Sequence, residues 1–180
     1  HLLALARGAN AIVLVDDEAL PLAVGNQELA AALVGEQRDD RRILLQKEAV
    51  AYYEATPDFV VAERAGRVVG AGAVHVLWED LAEIRTLAVA DEELGRGVGS
   101  AILEALLAKG RALGVRRLFC LTFETGFFER PGFSAIEGQA VSPEVYAELL
   151  RSYDEGVAEF LDLERVKPNT LGNTRMLRIL

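Results

Sequence analysis

Apolar residues follow two rhythms along this chain. Short apolar or alternating runs bounded by polar residues predict strands at 11–15, 59–63, 68–77, Leu81–Val89 and Arg117–Thr122. Ala65-Gly66-Arg67 reads as a tight turn, and Trp78-Glu79-Asp80 as the next one. The strands around them form an antiparallel meander leading into Leu81–Val89. A helical rhythm follows, with Ile102, Leu103, Leu106, Leu107 and Leu113 on one face and Glu104, Lys109 and Arg111 off it. Gly114 stands where a left-handed helix cap belongs. Further helices are expected at 27–34 and at 43–54, the latter with Pro57 beyond its end. Ser142-Pro143 supplies an N-cap and a first-turn proline for a helix over 144–152. Residues 155–163 and 176–180 read as closing strands, with a loop at 167–173. Ala71, Gly72 and Ala73 keep the 68–77 strand thin, so another element can pack closely on it.

Between the Leu81–Val89 strand and the long helix lies Gly95-Arg96-Gly97-Val98-Gly99-Ser100. Glycines just before a helix let the backbone approach a ligand, and the first N–H groups of a helix have no internal partners. With the positive end of the helix dipole they make an anion site suited to phosphate, and Arg96 adds a cation. The loop lacks the lysine of a Walker motif. Its glycine spacing, with Ser100 at the third glycine position, does not fit a dinucleotide fingerprint. A pyrophosphate cradle of the acyl-CoA type remains.

Composition bounds the rest. With 180 residues, 51% hydrophobic and 26% charged, the chain reads as one globular domain with a real core. A formal net charge of −9 argues against a nucleic-acid partner. No apolar run approaches bilayer length, and residues 1–6 lack the basic leader and cleavage site of a signal peptide. The single cysteine, Cys120, excludes an internal disulfide and suits a reducing cytoplasm.

Strand, Gly-x-Gly-x-Gly turn, helix, strand and the later Gly132-Phe133 resemble the core of the GNAT acetyltransferases. Within that superfamily the match is nearest the amino-acid acetyltransferases, the N-acetylglutamate synthase branch in its short single-domain form. EIRTLAV (83–89), RRLFCLTFETGFFERPGF (116–133) and the tail 155–177 carry the resemblance. It covers roughly residues 42–180, and 1–40 match poorly. It implies an α/β (α+β) domain over 1–180, with a mixed, mostly antiparallel, splayed sheet flanked by helices. It implies acetyl-CoA as co-substrate, no metal, a small amino acid as partner and no membrane, and it admits a homodimer. The activity implied is direct acetyl transfer to the α-amine of L-glutamate, a step toward arginine. One departure is Leu94, where the family usually carries Arg or Gln before the first glycine.

Such a transfer needs a base for the amine, a polarised thioester carbonyl and a proton for the departing thiol. Glu83 is the candidate base, because it stands in an otherwise apolar strand where desolvation raises a carboxyl pKa. An ion pair with Arg85, two residues along the same strand face, is the structural alternative. The resemblance implies a strand bulge that frees a backbone N–H of Leu87, Ala88 or Val89 for the thioester. The remaining cofactor contacts are implied at Gly95, Arg96, Gly97, Val98, Gly99, Ser100, Phe128 and Arg130. Thr122 matches a serine proposed as the acid in longer synthases. Phe128 stands where many relatives have a tyrosine and cannot donate a proton. Cys120 reads as a buried strand thiol, and His75 as structural. For the acceptor's carboxylates the candidates are Lys47, Arg85 and Arg175, with Asn173 and Thr174 as hydrogen-bonding partners. Asn173 replaces an arginine of longer synthases, which leaves glutamine open as acceptor. Phe128 and Leu94 also keep open a non-catalytic acyl-CoA-binding module.

Overall fold

The structure is a computed structural model of the chain, and it describes residues 4–6, 11–14, 55–65, 67–166 and 172–180. The helices expected at 27–34 and 43–54, and Lys47 with them, lie outside the described residues, as does most of the 167–173 loop. Eight strands are described: β1 (Ala4–Ala6), β2 (Ala11–Leu14), β3 (Phe59–Arg64), β4 (Arg67–Trp78), β5 (Leu81–Val89), β6 (Arg117–Thr122), β7 (Ser134–Ala135) and β8 (Thr174–Ile179). The helices are α1 (Val98–Ala112), α2 (Thr125–Glu129), α3 (Pro143–Leu149) and α4 (Glu155–Phe160). Among the described residues the strand order is β1-β2-β3-β4-β5-β6-β8-β7. Strand β2 runs parallel to β3 and β5 to β6, whereas β1 with β2, β3 with β4, β6 with β8 and β7 with β8 are antiparallel. The chain divides into two compact units, one from His1–His75 with Arg85–Lys109, the other from Val76–Ile84 with Gly110–Leu180.

In the first unit, α1 lies on β4. Val98, Ala101, Ile102, Leu103, Ala105, Leu106 and Leu107 are buried, which is the apolar stripe read from the sequence. The close approach needs glycine. A Cβ on Gly70 would lie 2.8 Å from Ile102 Cδ1 and 2.9 Å from the Ala88 carbonyl oxygen. A Cβ on Gly72 would lie 2.8 Å from Leu106 Cδ1. Phe59, Val61, Ala71 and Ala73 form a cluster of their own. Lys109 is not a free surface charge: its Nζ donates to the Pro57 carbonyl at 2.5 Å, and desolvation lowers its pKa.

In the second unit, Leu77, Leu81, Phe119, Leu149, Val157, Phe160 and Leu161 make the core. The Phe119 and Phe160 rings meet edge to face at 5.2 Å. Arg117 holds Asp80 through two hydrogen bonds, Nε to Oδ2 at 3.0 Å and NH2 to Oδ1 at 2.9 Å. This keeps the Asp80 carboxyl below the ordinary aspartate range.

Two expectations are corrected here. Residues 155–163 do not form a strand. Asp154 caps a helix there, its Oδ1 accepting from the Val157 N–H at 3.0 Å. Gly156, Val157, Ala158, Glu159 and Phe160 are all buried, so the run shows no solvent-facing stripe and imitates a buried strand. Leu113 is not part of the helix's apolar face. It lies past the end of α1 and is 53% exposed. Ser142 does cap α3, although that helix ends at Leu149.

Candidate active site

In the first unit, three successive turns wind the chain from Ala90 into the glycine loop. Ala90, Asp91 and Glu93 accept at their carbonyls from the N–H groups of Glu93, Leu94 and Arg96. Gly95 has φ +75° and Gly97 φ +85°, the left-handed region that a side chain resists. A Cβ at either would meet nothing within 4 Å, so the glycines there serve backbone conformation and not packing. Gly97 accepts at its carbonyl from the Ala101 N–H at 3.0 Å, which makes it the residue from which α1 starts. The N–H groups of the first turn, through Val98, Gly99 and Ser100, therefore lack intrahelical acceptors. Leu94, Arg96 and Ser100 are exposed, and Val98 is buried. The arrangement suits a diphosphate: open space, left-handed glycines, free amides and an exposed cation at one place.

Just before this loop β5 is irregular. Thr86 has φ +55°, and for a β-branched residue this is a genuine outlier. It stands immediately ahead of Leu87, Ala88 and Val89, which are half-buried. Ala90 then donates to the Val69 carbonyl at 2.9 Å and rejoins β4. Strain of this kind persists where the surroundings over-determine it, most often at sites. Arg85, beside it, is half-buried.

The second unit holds the other candidates. Glu83 is 4% exposed and pairs in register with Phe119 of β6. Cys120 is buried and free, and desolvation first, then the Glu83 carboxylate, pushes its thiol far above the usual range. A thiol in that state is a poor nucleophile, as the sequence reading held. The register of β6 with β8 sets Thr122 opposite Thr174 and Leu121 opposite Arg175. Thr122 Oγ1 accepts from the Glu124 N–H at 2.9 Å and helps turn the chain into α2. The Arg175 guanidinium donates to the Phe160 carbonyl at 2.9 Å and to the Gly138 carbonyl at 2.6 Å. Asn173 is half-buried and follows Gly172. Phe128 is buried, its ring edge to face with Phe127 and with Phe133, and Arg130 is exposed. His75 Nδ1 lies 2.6 Å from Asp58 Oδ2, in the first unit. A cavity of about 530 Å³ in the second unit is lined by Trp78, Asp80, Arg117 and Gln139 among others. None of the candidate catalytic, cofactor or acceptor residues read from the sequence lines it.

Sequence reasoning overlooked two residues. Thr86 carries no signal beyond being an ordinary strand residue. Glu93 is 5% exposed, yet in Asp91-Glu92-Glu93 it looks like one charge of a solvated run.

The acetyltransferase (GNAT) family matches residues 25–133. An amino-acid acetyltransferase of Mycobacterium tuberculosis is 57% identical over 142 residues, covering 77% of this chain and 82% of that protein. The chain belongs to the GNAT acetyltransferase family. This GNAT chain is also similar to a solved Mycobacterium tuberculosis protein in complex with CoA and NLQ. The two share 53% identity and a TM-score of 0.79, over 85% of this chain and 93% of that one. N-acetylglutamate synthase from Neisseria gonorrhoeae, complexed with coenzyme A and N-acetyl-glutamate, shares the fold. It matches at 23% identity and a TM-score of 0.65, over 87% of this chain but 33% of its own length. Among the described residues, no helix is long and apolar enough to cross a membrane. Among them, too, no group of three or more His, Cys, Asp or Glu side chains is arranged to hold a metal ion.

Proposed function

We propose that this chain transfers the acetyl group of acetyl-CoA directly to the α-amine of L-glutamate, an early reaction toward arginine. The observation that carries the reading is the pair of left-handed glycines, Gly95 and Gly97, at the mouth of α1 with open space above them. The amino-acid acetyltransferase relative and the neighbour solved with CoA support it. In this reading Gly95 to Ser100 hold the diphosphate, and N–H groups of Leu87 to Val89 meet the pantetheine arm and thioester carbonyl. One well-aimed donor at a developing oxyanion is worth roughly 2.7–4 kcal/mol. Glu83 takes the proton of the incoming amine. Thr122, its oxygen already an acceptor, keeps its O–H free to return a proton to the leaving thiol. Phe128 and Arg130 line the cofactor end, and Lys47, Arg85, Asn173, Thr174 and Arg175 receive the acceptor. The reading takes the chain as one acetyltransferase domain acting in a reducing cytoplasm. It includes a homodimer, which sedimentation velocity decides.

A second acceptor is favoured by one observation. Both terminal nitrogens of Arg175 donate to backbone carbonyls, so this guanidinium is partly spent before any carboxylate arrives. With Asn173 two positions before it, the site suits an acceptor with an uncharged amide side chain better than it suits glutamate. Acceptor-dependent CoA release, with glutamate and glutamine side by side, tests both. Acetylated product from glutamate supports the first reading, and a preference for glutamine establishes the second. Coenzyme A binding with no product from either points to another small amine as acceptor, and no product from any amine of a wider panel leaves the acyl-CoA-binding module.

A further inference from the structure

Glu93 presents an electrostatic puzzle. It ends the turn that leads into the glycine loop, and it is 5% exposed. A carboxylate beside an anion site has the wrong sign, since it repels the diphosphate the loop is shaped to receive. Its surroundings explain why it is tolerated. Arg64 Nε, at the end of β3, lies 3.2 Å from Glu93 Oε2, and Arg96 NH1, inside the loop, lies 3.5 Å from Glu93 Oε1. Its own carbonyl accepts from the Arg96 N–H at 3.2 Å. Two ion pairs, to Arg64 on β3 and to the Arg96 side chain, and one hydrogen bond, from the Arg96 N–H, thus meet at one residue. Each carboxylate oxygen of Glu93 faces an arginine, which offsets its charge at the mouth of the loop.

We infer that Glu93 is a positioning residue for the nucleotide diphosphate of acetyl-CoA. It holds Arg96 and the left-handed turn in the geometry that receives the phosphates, at the cost of a negative charge nearby. Arg96 is 61% exposed, and without this tether its long side chain samples many rotamers that point into solvent. This inference rests on the reading of the glycine loop given above, and it adds the carboxylate that organises it.

The two effects of Glu93 oppose each other, so a charge-neutral isostere separates them. If Glu93 acted only through its charge, Glu93→Gln would tighten acetyl-CoA binding. If it positions, Glu93→Gln raises KM for acetyl-CoA by about tenfold and leaves kcat nearly unchanged, the loss expected of an interaction made equally in ground and transition states. S-acetyl-pantetheine carries the thioester without the diphosphate, and its kcat/KM stays at the wild-type value in the same variant. In an Arg96→Ala background, Glu93→Gln has little further effect on KM, because the group it positions is gone. Unchanged or lower KM for acetyl-CoA in Glu93→Gln overturns the inference. So does an equal loss with S-acetyl-pantetheine, which marks a general structural role. If the unaltered chain fails to bind coenzyme A, the reading of the loop falls and this inference with it. A normal unaltered enzyme with a silent Glu93→Gln removes this inference alone.

Discussion

Glu83 is buried on β5, and the Cys120 thiol registers its charge. A carboxylate in that setting has little water to compete for an amine's proton. Replacing it with Gln keeps the shape and removes the base. Turnover is expected to fall by about 10²–10⁴-fold, the usual worth of a general base. Coenzyme A binding measured by calorimetry should persist. An unaltered rate with an unaltered pH profile would take Glu83 out of the mechanism. The residue scale is also where sequence reading was least complete. Cys120 could be read as a buried strand thiol from its apolar neighbours, and the structure buries it. The left-handed Thr86 could not be foreseen, because a threonine in a strand is commonplace and only the surrounding structure imposes the unusual φ. Glu93 was hidden for a related reason: burial of one charge in an acidic run depends on two arginines, one of them about thirty residues away in sequence.

Elements show where local rules suffice and where packing takes over. The thin face of β4 was readable as Ala and Gly in a row, and α1 does sit on it. The two glycines are not equivalent. A Cβ on Gly72 meets the tip of Leu106, which can rotate away, but one on Gly70 meets the Ala88 carbonyl of β5 at 2.9 Å. Gly70→Ala should therefore cost about 1–3 kcal/mol, as overpacking does, and should also weaken acetyl-CoA binding by displacing the strand next to Leu87 and Val89. Urea unfolding and KM, measured on the same preparation, check both halves. Helix α4 makes the opposite point. After Glu155 its residues are all buried, so its sequence holds no 3.6-residue stripe, and an apolar run of that length fits a strand equally well. What selects the helix is the Asp154 cap and the packing of Phe160 on Phe119. Asp154→Ala should lower stability by about 0.5–2 kcal/mol, the range for a lost N-cap, with little effect on KM for either substrate. A stability change near zero in urea would show that packing alone holds the helix.

At the scale of the whole molecule, charge sets two conditions. A net charge of −9 repels an anionic cofactor at long range, so in the proposed reading its capture comes from local groups, the loop amides and Arg96. Charge also links folding to pH. Arg117 depresses the Asp80 pKa, so the pair stabilises the fold above the unfolded aspartate value near 4 and loses that contribution as pH falls through the folded value. Burial raises the Glu63 pKa, which has the reverse sign: the folded state keeps that proton longer, and stability declines as pH rises through the interval. Asp80→Asn should be less stable than the unaltered chain by about 1–3 kcal/mol at pH 7, as for a hydrogen bond to a charged group, with the gap closing below about pH 4. Urea titrations at pH 7, 5 and 3 measure it, and a gap that stays constant across them would deny the ion pair its role.

Taken alone, the sequence determined what local physics can carry. It marked the strands Leu81–Val89 and Arg117–Thr122, the apolar stripe of α1, the caps at Ser142 and Gly114, and the glycine turn that opens α1. Each of those depends on neighbours within a few positions, through side-chain periodicity, φ freedom or unsatisfied amides. Only the tertiary structure decided that 155–160 is helical, that Thr86 is forced left-handed, that Glu93 is buried between Arg64 and Arg96, and that Arg175 spends its donors on two carbonyls. Those outcomes depend on contacts between residues far apart along the chain, and no local pattern records which partners folding will bring together.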